Sequence, residues 1–360
     1  MKCLIACGGT GGHITPGIAI ARIICAKFKG AEILFLGATG GMEEEMVRAA
    51  GFSLRTLPMR GLSRSLTLEN LHALQLALRA TRDAKELMRE YAPDIVIGTG
   101  GYVCYPALRA AIALGIPTAV HESNAIPGLA VRRIASRVGR VWLNFDEARA
   151  HLSRRASMLV VGNPIASEPG RALQRGNGEL QLLSFGGSLG ASAINHAALA
   201  LMEALGGEQG VRYVHATGKR EYECCLREFR ARGLQRHSNL ELHPFITDMQ
   251  AQMAAADLVI CRAGAISISE LAAYGRAAIL VPSPNVTGDH QRANARALQR
   301  AGAAIYLEED QLEGLLLQTV RALLRDPARR MALGKAIRSF HHADANEKIC
   351  ADIRILCQKR

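Results

Sequence analysis

Three glycine clusters stand at the same kind of place in this chain, between a short apolar run and a segment of helical periodicity. They are CGGTGGH at residues 7–13, GTGGY at residues 98–102 and GGSLGA at residues 186–191. Short apolar runs alternate with helix-period segments elsewhere in the chain as well, which is typical of βα units on a parallel sheet. The sequence therefore predicts an α/β fold of doubly wound parallel sheets, with the glycine turns at strand ends.

The alternation divides the chain into two similar halves. Residues 163–179 are rich in Gly, Pro and polar residues and lack apolar periodicity, so we interpret them as a linker. We expect an N-terminal domain at residues 1–163, a C-terminal domain at residues 164–335, and a basic helical segment at residues 336–360 that packs back on the first domain. Two Rossmann-like sheets facing a cleft would bind ligands beyond the carboxyl ends of their strands.

The predicted elements follow from the apolar runs and from the segments between them. Strands are predicted at residues 2–7, 32–36, 94–98, 117–121, 141–144, 158–161, 181–185, 211–217, 240–243, 258–261 and 277–281. Helices are predicted at residues 16–28 and 68–91, and residues 310–360 are expected to be largely helical. The second half thus repeats the alternation of strands and helices that is predicted for the first.

Composition narrows the class of protein and its partners. The chain has 360 residues, 49% of them hydrophobic, which is enough to bury a core without disulfides or a structural metal. Its nine cysteines form no CxxC pair, and no run reaches the roughly 18 uncharged apolar residues of a membrane-spanning helix. We therefore expect a soluble protein that stays inside the cell. The net charge of +12 favours a polyanionic partner, either nucleic acid, an anionic bilayer surface or phosphorylated ligands.

The glycine turns suit phosphate groups. Glycine lets backbone N–H groups approach a phosphate closely, and the helix N-terminus that follows adds a favourable dipole. None of the turns matches the GxxxxGK[ST] phosphate loop, and the first departs from GxGxxG because Ile14 stands at its last position. His13 closes that turn, where it could act as a general base or hydrogen-bond a sugar or phosphate, with a helix cap or an exposed histidine as the alternative.

Polar side chains also follow other predicted strands. Four polar residues in a row, His121 to Asn124, come after one strand and are interpreted as functional. In the second half Ser267 and Glu270 fit an S-x-x-E capping box, although Glu270 could instead accept two hydrogen bonds from a ribose diol. Gln291 opens a helical segment, where its amide suits sugar hydroxyls and a polar helix cap is the alternative.

In order and spacing, a set of eight motifs resembles the MurG family of GT-B glycosyltransferases over nearly the whole chain. The motifs are GGTGGH, GTGGY, HESNAIPG, GNP, GGSLGA, FITDM, RAGAISISE and HQRANA. That family transfers N-acetylglucosamine from UDP-N-acetylglucosamine to lipid I, which forms lipid II in peptidoglycan biosynthesis. The resemblance implies a GT-B fold of two Rossmann-like domains and an inverting hexosyltransferase that binds its donor mainly through the C-terminal domain.

The resemblance carries donor-binding residues over position by position. It assigns Glu270 to the ribose hydroxyls, Ser188 to the diphosphate and Gln291 to the sugar hydroxyls. Further donor positions implied by the motifs are Thr10, Gly11, Gly12, Asn124, Ile246, Arg262 and Ser267.

The resemblance also implies an acceptor side and a mechanism. His13, Tyr102 and Asn124 match acceptor positions, and His13 and Glu122 are the candidate catalytic residues, with His13 the favoured base. A single in-line displacement would convert an α-linked donor sugar into a β-linked product. The glycine-turn N–H groups and a helix N-terminus can stabilise the leaving UDP. Because the sequence has no DxD motif, we expect neither a metal nor another cofactor.

Two departures from the family pattern concern individual contacts. GNP is followed by Ile165 and Ala166, where the family usually has an arginine two residues after the proline, so a phosphate contact is either missing or supplied by another arginine. The stretch after GGY contains Cys104 and Tyr105, where the family usually has Ser and Gly, and Tyr105 would narrow the acceptor turn.

A lipid-linked acceptor requires the enzyme to reach a membrane. The predicted helix at residues 68–91 carries Leu71, Leu74 and Leu78 on one face, which either meet lipid or pack on the sheet. Nearby basic residues are Arg79, Arg82 and Lys85, and a second basic group is Arg132, Arg133, Arg137 and Arg140. We expect peripheral attachment to the cytoplasmic face of the inner membrane, with UDP-N-acetylglucosamine, lipid I and anionic lipids as partners.

Two other classes of function stay open from the sequence. Another GT-B enzyme, such as a glycolipid glycosyltransferase or a non-hydrolysing UDP-sugar epimerase, would share the glycine turns. A basic nucleic-acid-binding protein is disfavoured because an aromatic content of 4% offers few stacking platforms and the basic residues are scattered. We therefore expect no nucleic-acid partner.

Overall fold

The computed structural model describes residues 1–59, 68–164, 179–187 and 190–358, and at residues 68–74 and 287 it describes the backbone only. The chain forms two compact units. The first comprises Met1–Ala166 together with His342–Arg360, and the second comprises Ser167–His341. Each unit is built around one parallel sheet.

The first unit contains a seven-stranded sheet with helices on its faces. The strands are β1 (Lys2–Ala6), β2 (Glu32–Ala38), β3 (Ser53–Leu57), β4 (Ile95–Gly98), β5 (Thr118–Glu122), β6 (Arg140–Leu143) and β7 (Met158–Val160). The helices are α1 (Gly11–Lys27), α2 (Glu43–Ala49), α3 (Leu68–Tyr91), α4 (Cys104–Ala113) and α5 (Leu129–Ile134), with a 3-10 helix at Asp146–His151. All strands run parallel in the order β3-β2-β1-β4-β5-β6-β7. Every residue of β4 and β5 is buried, because helices cover both faces of the sheet.

Helix α1 begins earlier than the sequence predicts. The predicted start at Pro16 is wrong: the helix begins at Gly11, with Thr10 as its N-cap residue in extended conformation. The N–H groups of His13 and Ile14 donate to the Thr10 carbonyl at 3.0 and 3.2 Å. The first glycine turn therefore runs directly into the helix, and His13 belongs to the first helical turn.

The second unit contains a six-stranded sheet. Its strands are β8 (Leu180–Phe185), β9 (Val211–Ala216), β10 (Leu240–His243), β11 (Leu258–Cys261), β12 (Ala277–Leu280) and β13 (Ile305–Tyr306). Its helices are α6 (Ser192–Leu205), α7 (Tyr222–Ala231), α8 (Met249–Ala255), α9 (Ala265–Tyr274), α10 (His290–Arg300), α11 (Leu312–Arg325) and α12 (Pro327–Ile337), with 3-10 helices at Leu234–Arg236, Thr287–Asp289, Glu309–Gln311 and Arg338–Phe340. The strands run parallel in the order β10-β9-β8-β11-β12-β13.

The last helix, α13 (Ala345–Gln358), packs on the first unit. Its Ile349 and Ile353 are fully buried in the same apolar cluster as the β1 side chains. Its buried Asp352 accepts a hydrogen bond from Trp142 Nε1 at 2.7 Å and pairs with the Arg140 guanidinium, whose closest nitrogen lies 2.8 Å away. Two donors on strand β6 thus hold a carboxylate that would be costly to bury alone.

The predicted strands match the central strands of both sheets, whereas two edge strands are missed. The edge strand β3 alternates exposed and less exposed residues, and β13 has 2 residues. An edge strand of this kind carries no continuous apolar run, so periodicity over a short window cannot identify it. Residues 165–178, most of the predicted linker, lie outside the described residues.

Both sheets reverse their winding direction at one point. In the first sheet this point lies between β1 and β4, and in the second it lies between β8 and β11. Such switch points open a crevice at the carboxyl ends of the two strands, where α/β proteins bind ligands. All three glycine turns follow one of these strands, so each switch point carries at least one of them.

Candidate functional site

The turns after β1 and β4 pack closely against each other. Gly101 has a φ of 81°, and a Cβ atom there would overlap the carbonyl oxygen of Gly8. Gly100 has a φ of 104°, and a Cβ atom there would overlap the ring of His13. Only glycine combines these backbone angles with so close an approach, so both clusters are needed to build this switch point.

His13 is partly exposed and is held through its ring and its backbone. Its Nδ1 atom lies 3.2 Å from the Gly8 carbonyl oxygen and 3.2 Å from Thr10 Oγ1. Its own carbonyl accepts a hydrogen bond from Thr99 Oγ1 at 2.8 Å. Because a carbonyl oxygen can only accept, Nδ1 carries the proton of the neutral ring and Nε2 carries the lone pair. The ring is therefore set to accept a proton at Nε2.

The other predicted residues of the first turn form its rim. Thr10 and Gly12 are exposed, and Gly11 is half-buried. The ring of Tyr102 lies over Gly9, and burial, reinforced by the nearby Glu43 carboxylate, raises the pKa of its phenol above the usual value. Tyr102 is therefore a neutral hydroxyl at physiological pH.

A buried carboxylate lies beneath this turn, and the sequence analysis misses it. Glu43, the first residue of α2, is fully buried. Its Oε1 accepts from the Ala38 N–H at 2.7 Å, and its Oε2 accepts from the Gly9 N–H at 3.4 Å. Three consecutive glutamates after a Gly-Gly pair were the available signal, and they are equally typical of an exposed helix N-terminus.

Glu122 ends β5 as a buried carboxylate with its oxygens engaged. Oε1 accepts from the backbone N–H and from the side-chain Nδ2 of Asn124 at 3.0 and 3.1 Å, and Oε2 accepts from the Gly128 N–H at 2.9 Å. Burial raises the pKa of this carboxyl, and the hydrogen bonds oppose that shift. The geometry is that of a group that holds the loop after β5 and orients the half-buried Asn124.

The two neighbours of Glu122 are also buried. His121 Nε2 donates to the Gly162 carbonyl at 2.9 Å, and burial lowers the pKa of this histidine to about 4, so its ring is neutral. The Ser123 carbonyl accepts from Asn144 Nδ2 at 3.0 Å. Within the polar run that begins at His121, only Asn124 is not buried.

In the second unit, the turn after β8 leads into α6. Ser188 lies outside the described residues. Gly190 has a φ of 84°, and a Cβ atom there would overlap the carbonyl oxygen of Thr217. Helix α6 begins at Ser192 after the N-cap residue Ala191, which supplies no side-chain cap. The N-cap residue of α6 thus leaves the first N–H groups of the helix without a cap from its own side chain, as in helix N-termini that bind anions.

The capping-box interpretation of Ser267 and Glu270 is wrong. Helix α9 begins at Ala265 with Gly264 as its N-cap, so Ser267 is the third helical residue and cannot cap the helix. Glu270 lies inside the helix, half-buried, and burial raises its pKa to about 7. Among the described residues, no hydrogen-bond donor or cation pairs with its carboxylate. Glu270 is thus available to a ligand.

Arg262 follows β11 and is already engaged within the unit. Its Nη1 donates to the carbonyl oxygens of Val281 and Pro282 at 3.3 and 3.2 Å, and its Nη2 pairs with Glu309. The guanidinium thereby ties the turn after β11 to the end of β12.

The remaining predicted residues of the second unit follow neighbouring strands. Gln291, the second residue of α10, accepts from the Ser283 N–H at 2.8 Å through Oε1, which turns its NH₂ group into the available donor. Asn294 Nδ2 donates to the Ala263 carbonyl at 3.2 Å and ties α10 to the turn after β11. Ile246 is buried between β10 and α8.

The structure therefore brings the predicted residues together in two groups. One group belongs to the first unit and follows β1, β4 and β5: Thr10, Gly11, Gly12, His13, Tyr102, Glu122 and Asn124. The other belongs to the second unit and follows β10, β11 and β12: Ile246, Arg262, Ser267, Glu270 and Gln291. Within each parallel sheet these strand ends share one edge.

The predicted membrane-facing residues give a mixed result. Leu78 is 59% exposed, so it does not pack on the sheet, whereas the side chains of Leu71 and Leu74 lie outside the described residues. Arg140 is held by Asp352 and does not belong to an exposed basic group. The other arginines of that group, Arg132, Arg133 and Arg137, are exposed.

The described residues lack two features. None of their helices combines the length and the apolar content that a membrane span requires. Nor does that part of the chain contain a group of three or more His, Cys, Asp or Glu side chains placed to hold a metal ion.

Comparison with known proteins gives a consistent result. Residues 3–142 match the glycosyltransferase family 28 N-terminal domain, and residues 182–349 match the glycosyltransferase family 28 C-terminal domain. A relative from Acetivibrio thermocellus is 37% identical over 100% of this chain and 99% of its own length. Its name is UDP-N-acetylglucosamine--N-acetylmuramyl-(pentapeptide) pyrophosphoryl-undecaprenol N-acetylglucosamine transferase.

Solved structures agree with this. The crystal structure of Acinetobacter baumannii MurG is 28% identical with a TM-score of 0.80. The match covers 98% of this chain and 99% of the MurG chain. UDP-GlcNAc 2-epimerase from Neisseria meningitidis is 12% identical with a TM-score of 0.68, covering 99% of this chain and 100% of the epimerase. The epimerase shares the fold alone.

Proposed function

The chain belongs to glycosyltransferase family 28, among its MurG members, and we propose how its two switch points divide the work of a GlcNAc transferase. The enzyme is a hexosyltransferase of the GT-B fold. It moves N-acetylglucosamine from UDP-N-acetylglucosamine to the muramoyl O4 hydroxyl of lipid I, and the product is lipid II for peptidoglycan. The epimerase alternative is not favoured, because the epimerases match at 12–14% identity and the named transferases match at 35–39%.

The observation that carries the donor assignment is the polar edge of the second sheet. The Glu270 carboxylate, which has no partner among the described residues, would accept two hydrogen bonds from the ribose diol. The Gln291 NH₂ group would donate to the sugar hydroxyls. The α6 N-terminus and the turn before it, including Ser188, would take the diphosphate. Ile246 and Ser267 would line the uracil and phosphate side, and Arg262 would fix the turn after β11 through its existing contacts.

The first unit would take the acceptor. His13 Nε2 would accept the proton of the muramoyl hydroxyl as that oxygen attacks the anomeric carbon of the donor sugar. The anomeric carbon–oxygen bond breaks as the new bond forms, UDP leaves with the electron pair, and the configuration inverts from α to β. Tyr102 and Asn124 would hydrogen-bond the acceptor, and Glu122 would hold Asn124 in place. Thr10, Gly11 and Gly12 form the rim of this turn and would contact the donor.

We propose that charge on the leaving UDP is stabilised by backbone N–H groups and the α6 dipole without a metal ion. Attachment to the cytoplasmic face of the inner membrane would be peripheral. The exposed Leu78 and the exposed Arg132, Arg133 and Arg137 would meet the apolar and anionic parts of the leaflet.

UDP release from UDP-N-acetylglucosamine tests the reaction. It is measured with and without a soluble lipid I analogue, in the presence of EDTA. Acceptor-dependent release that survives chelation is expected. Release that ignores the acceptor would favour an epimerase or another glycosyltransferase, and release that is lost with EDTA and restored by Mg²⁺ would contradict the metal-free step.

A further inference from the structure

A chain of buried polar side chains runs through the second unit behind the turn after β8. Its members lie on three elements: Ser184 on β8, Tyr213 and His215 on β9, and Asn195 in the first turns of α6. All four are buried. Tyr213 Oη lies 2.8 Å from Ser184 Oγ, which lies 2.7 Å from His215 Nδ1, and His215 Nε2 lies 3.1 Å from Asn195 Oδ1.

The side chains of this series donate in one direction, from Tyr213 towards Asn195. Asn195 Nδ2 donates to the Thr217 carbonyl at 3.0 Å and to Glu221 Oε2 at 2.7 Å, and both of these oxygens can only accept. This fixes the Asn195 amide so that Oδ1 faces His215, whose Nε2 must then carry a proton. Burial lowers the pKa of His215 to about 4, so the ring is neutral and carries one proton. With that proton on Nε2, Nδ1 accepts from the Ser184 hydroxyl at 2.7 Å, and the Ser184 carbonyl oxygen, 3.1 Å from the same nitrogen, receives no hydrogen bond from the ring. Ser184 in turn accepts from Tyr213.

Asn195, the last side chain of this hydrogen-bonded series, supports the glycine turn. The Thr217 carbonyl, which accepts from Asn195, is the same oxygen that leaves no room for a Cβ atom on Gly190. Asn195 therefore links α6, the helix to which it belongs, with the Thr217 carbonyl against which Gly190 packs. A shift of Asn195 would move Thr217, the turn and the α6 N-terminus together.

We propose that Ser184, His215 and Asn195 form a positioning relay that aims the α6 N-terminus at the donor diphosphate, with Asn195 as the residue that joins the relay to the turn. The proposal rests on the donor assignment made above. The relay touches neither the sugar nor the reacting atoms. Its effect is to keep the first N–H groups of α6 in one direction, since a buried polar chain is rigid when every member is satisfied.

The test compares Asn195→Ala with Asn239→Ala. Asn239 is a matched control, because its Nδ2 donates to the Leu205 and Val211 carbonyls at 3.0 Å each, in the same unit, outside the relay and before β10. UDP affinity is measured by calorimetry, donor KM and kcat by UDP release, and Tm by thermal unfolding. Asn195→Ala is expected to weaken UDP binding and raise donor KM by about tenfold, whereas Asn239→Ala lowers Tm with UDP affinity unchanged.

A second pair of variants covers the case in which Asn195→Ala does not fold. His215→Gln keeps an N–H donor for Asn195 Oδ1, whereas His215→Leu removes it. Donor KM closer to wild type in His215→Gln supports the relay. Equal donor KM in the two His215 variants, or unchanged UDP affinity in folded Asn195→Ala, overturns it. A wild-type chain that binds UDP without transferring sugar overturns the proposed function instead, and the UDP affinities still decide the relay.

Discussion

The two switch points share one strand order but are supported in different ways. In the first unit two glycine turns pack backbone to backbone, above the buried carboxylate of Glu43, which accepts from backbone N–H groups. In the second unit one glycine turn leads into α6, and neutral side chains behind it end at the half-buried Glu221. The first arrangement fixes a side chain, His13, and the second fixes a set of backbone N–H groups.

This difference matches the groups that each turn would present to a ligand: a ring nitrogen in the first unit and backbone N–H groups in the second. A general base must be held at one ring nitrogen, which the Gly8 carbonyl does by fixing the His13 tautomer. A diphosphate is bound by several N–H groups, whose direction depends on the whole helix. A shared topology therefore places the sites, and the residues beneath each turn decide their chemistry.

The largest effect is expected from Gly101→Ala in the first turn pair. The new Cβ atom would overlap the Gly8 carbonyl and the backbone would keep a positive φ, so the unfolding free energy should fall by about 3 kcal/mol or more, with loss of transfer. Chemical denaturation and UDP release measure both. Gly187→Ala in the second unit is the counterpart, because its φ is also positive at 94° but no atom of the described residues beyond its chain neighbours lies within 4 Å of the new Cβ atom. That substitution should cost about 1 kcal/mol.

His13→Ala tests whether the first switch point supplies the base. We expect kcat to fall by about 10²- to 10⁴-fold while UDP affinity stays unchanged, because general base catalysis contributes on that order and the donor would be bound mainly by the second unit. Steady-state kinetics with varied donor, alongside calorimetry with UDP, separate the two effects. A wild-type kcat in His13→Ala would assign the base to another group.

Glu43→Ala tests the support beneath the first turn. It leaves the Ala38 N–H unpaired in a buried place and removes the acceptor of the Gly9 N–H at the surface, so the unfolding free energy should fall by about 2 kcal/mol, accompanied by a lower kcat. Glu44→Ala is the matched control, since Glu44 caps the exposed Gly40 N–H at 2.7 Å. If both variants lose the same unfolding free energy and kcat, Glu43 does not support the first turn more than an exposed helix cap does.

The smallest effect concerns pH and the second unit. The carboxylate form of Glu270 would accept from the ribose, and the pKa of Glu270 is raised to about 7, so UDP affinity should fall about tenfold between pH 8 and pH 6. Burial raises the folded-state pKa above the unfolded value, so this group favours folding increasingly as pH falls from about 7 towards 4. In Glu270→Gln both dependences should flatten, which calorimetry and thermal unfolding across this pH range would check.

The central strands and the glycine turns could be predicted because they are local features. A strand buried on both faces is a continuous apolar run, as in β4, and a turn at a switch point needs consecutive glycines. The edge strand β3 alternates instead, and the S-x-x-E pattern does not form a capping box in α9 because Gly264, rather than Ser267, is the N-cap residue. The Asn294 bond to the Ala263 carbonyl, made from another helix, holds this turn in place.

The sequence by itself determined the α/β class, the family and the strand ends at which ligands would bind, because each follows from periodicity or from motif order. Only the tertiary structure decided which polar groups are engaged. It buries Glu43 and Glu122 against backbone N–H groups, leaves Glu270 unpaired among the described residues, and joins Ser184 to His215 and Asn195. Hydrogen bonds between residues far apart in the chain depend on the packing of whole elements, and no local pattern reports that packing.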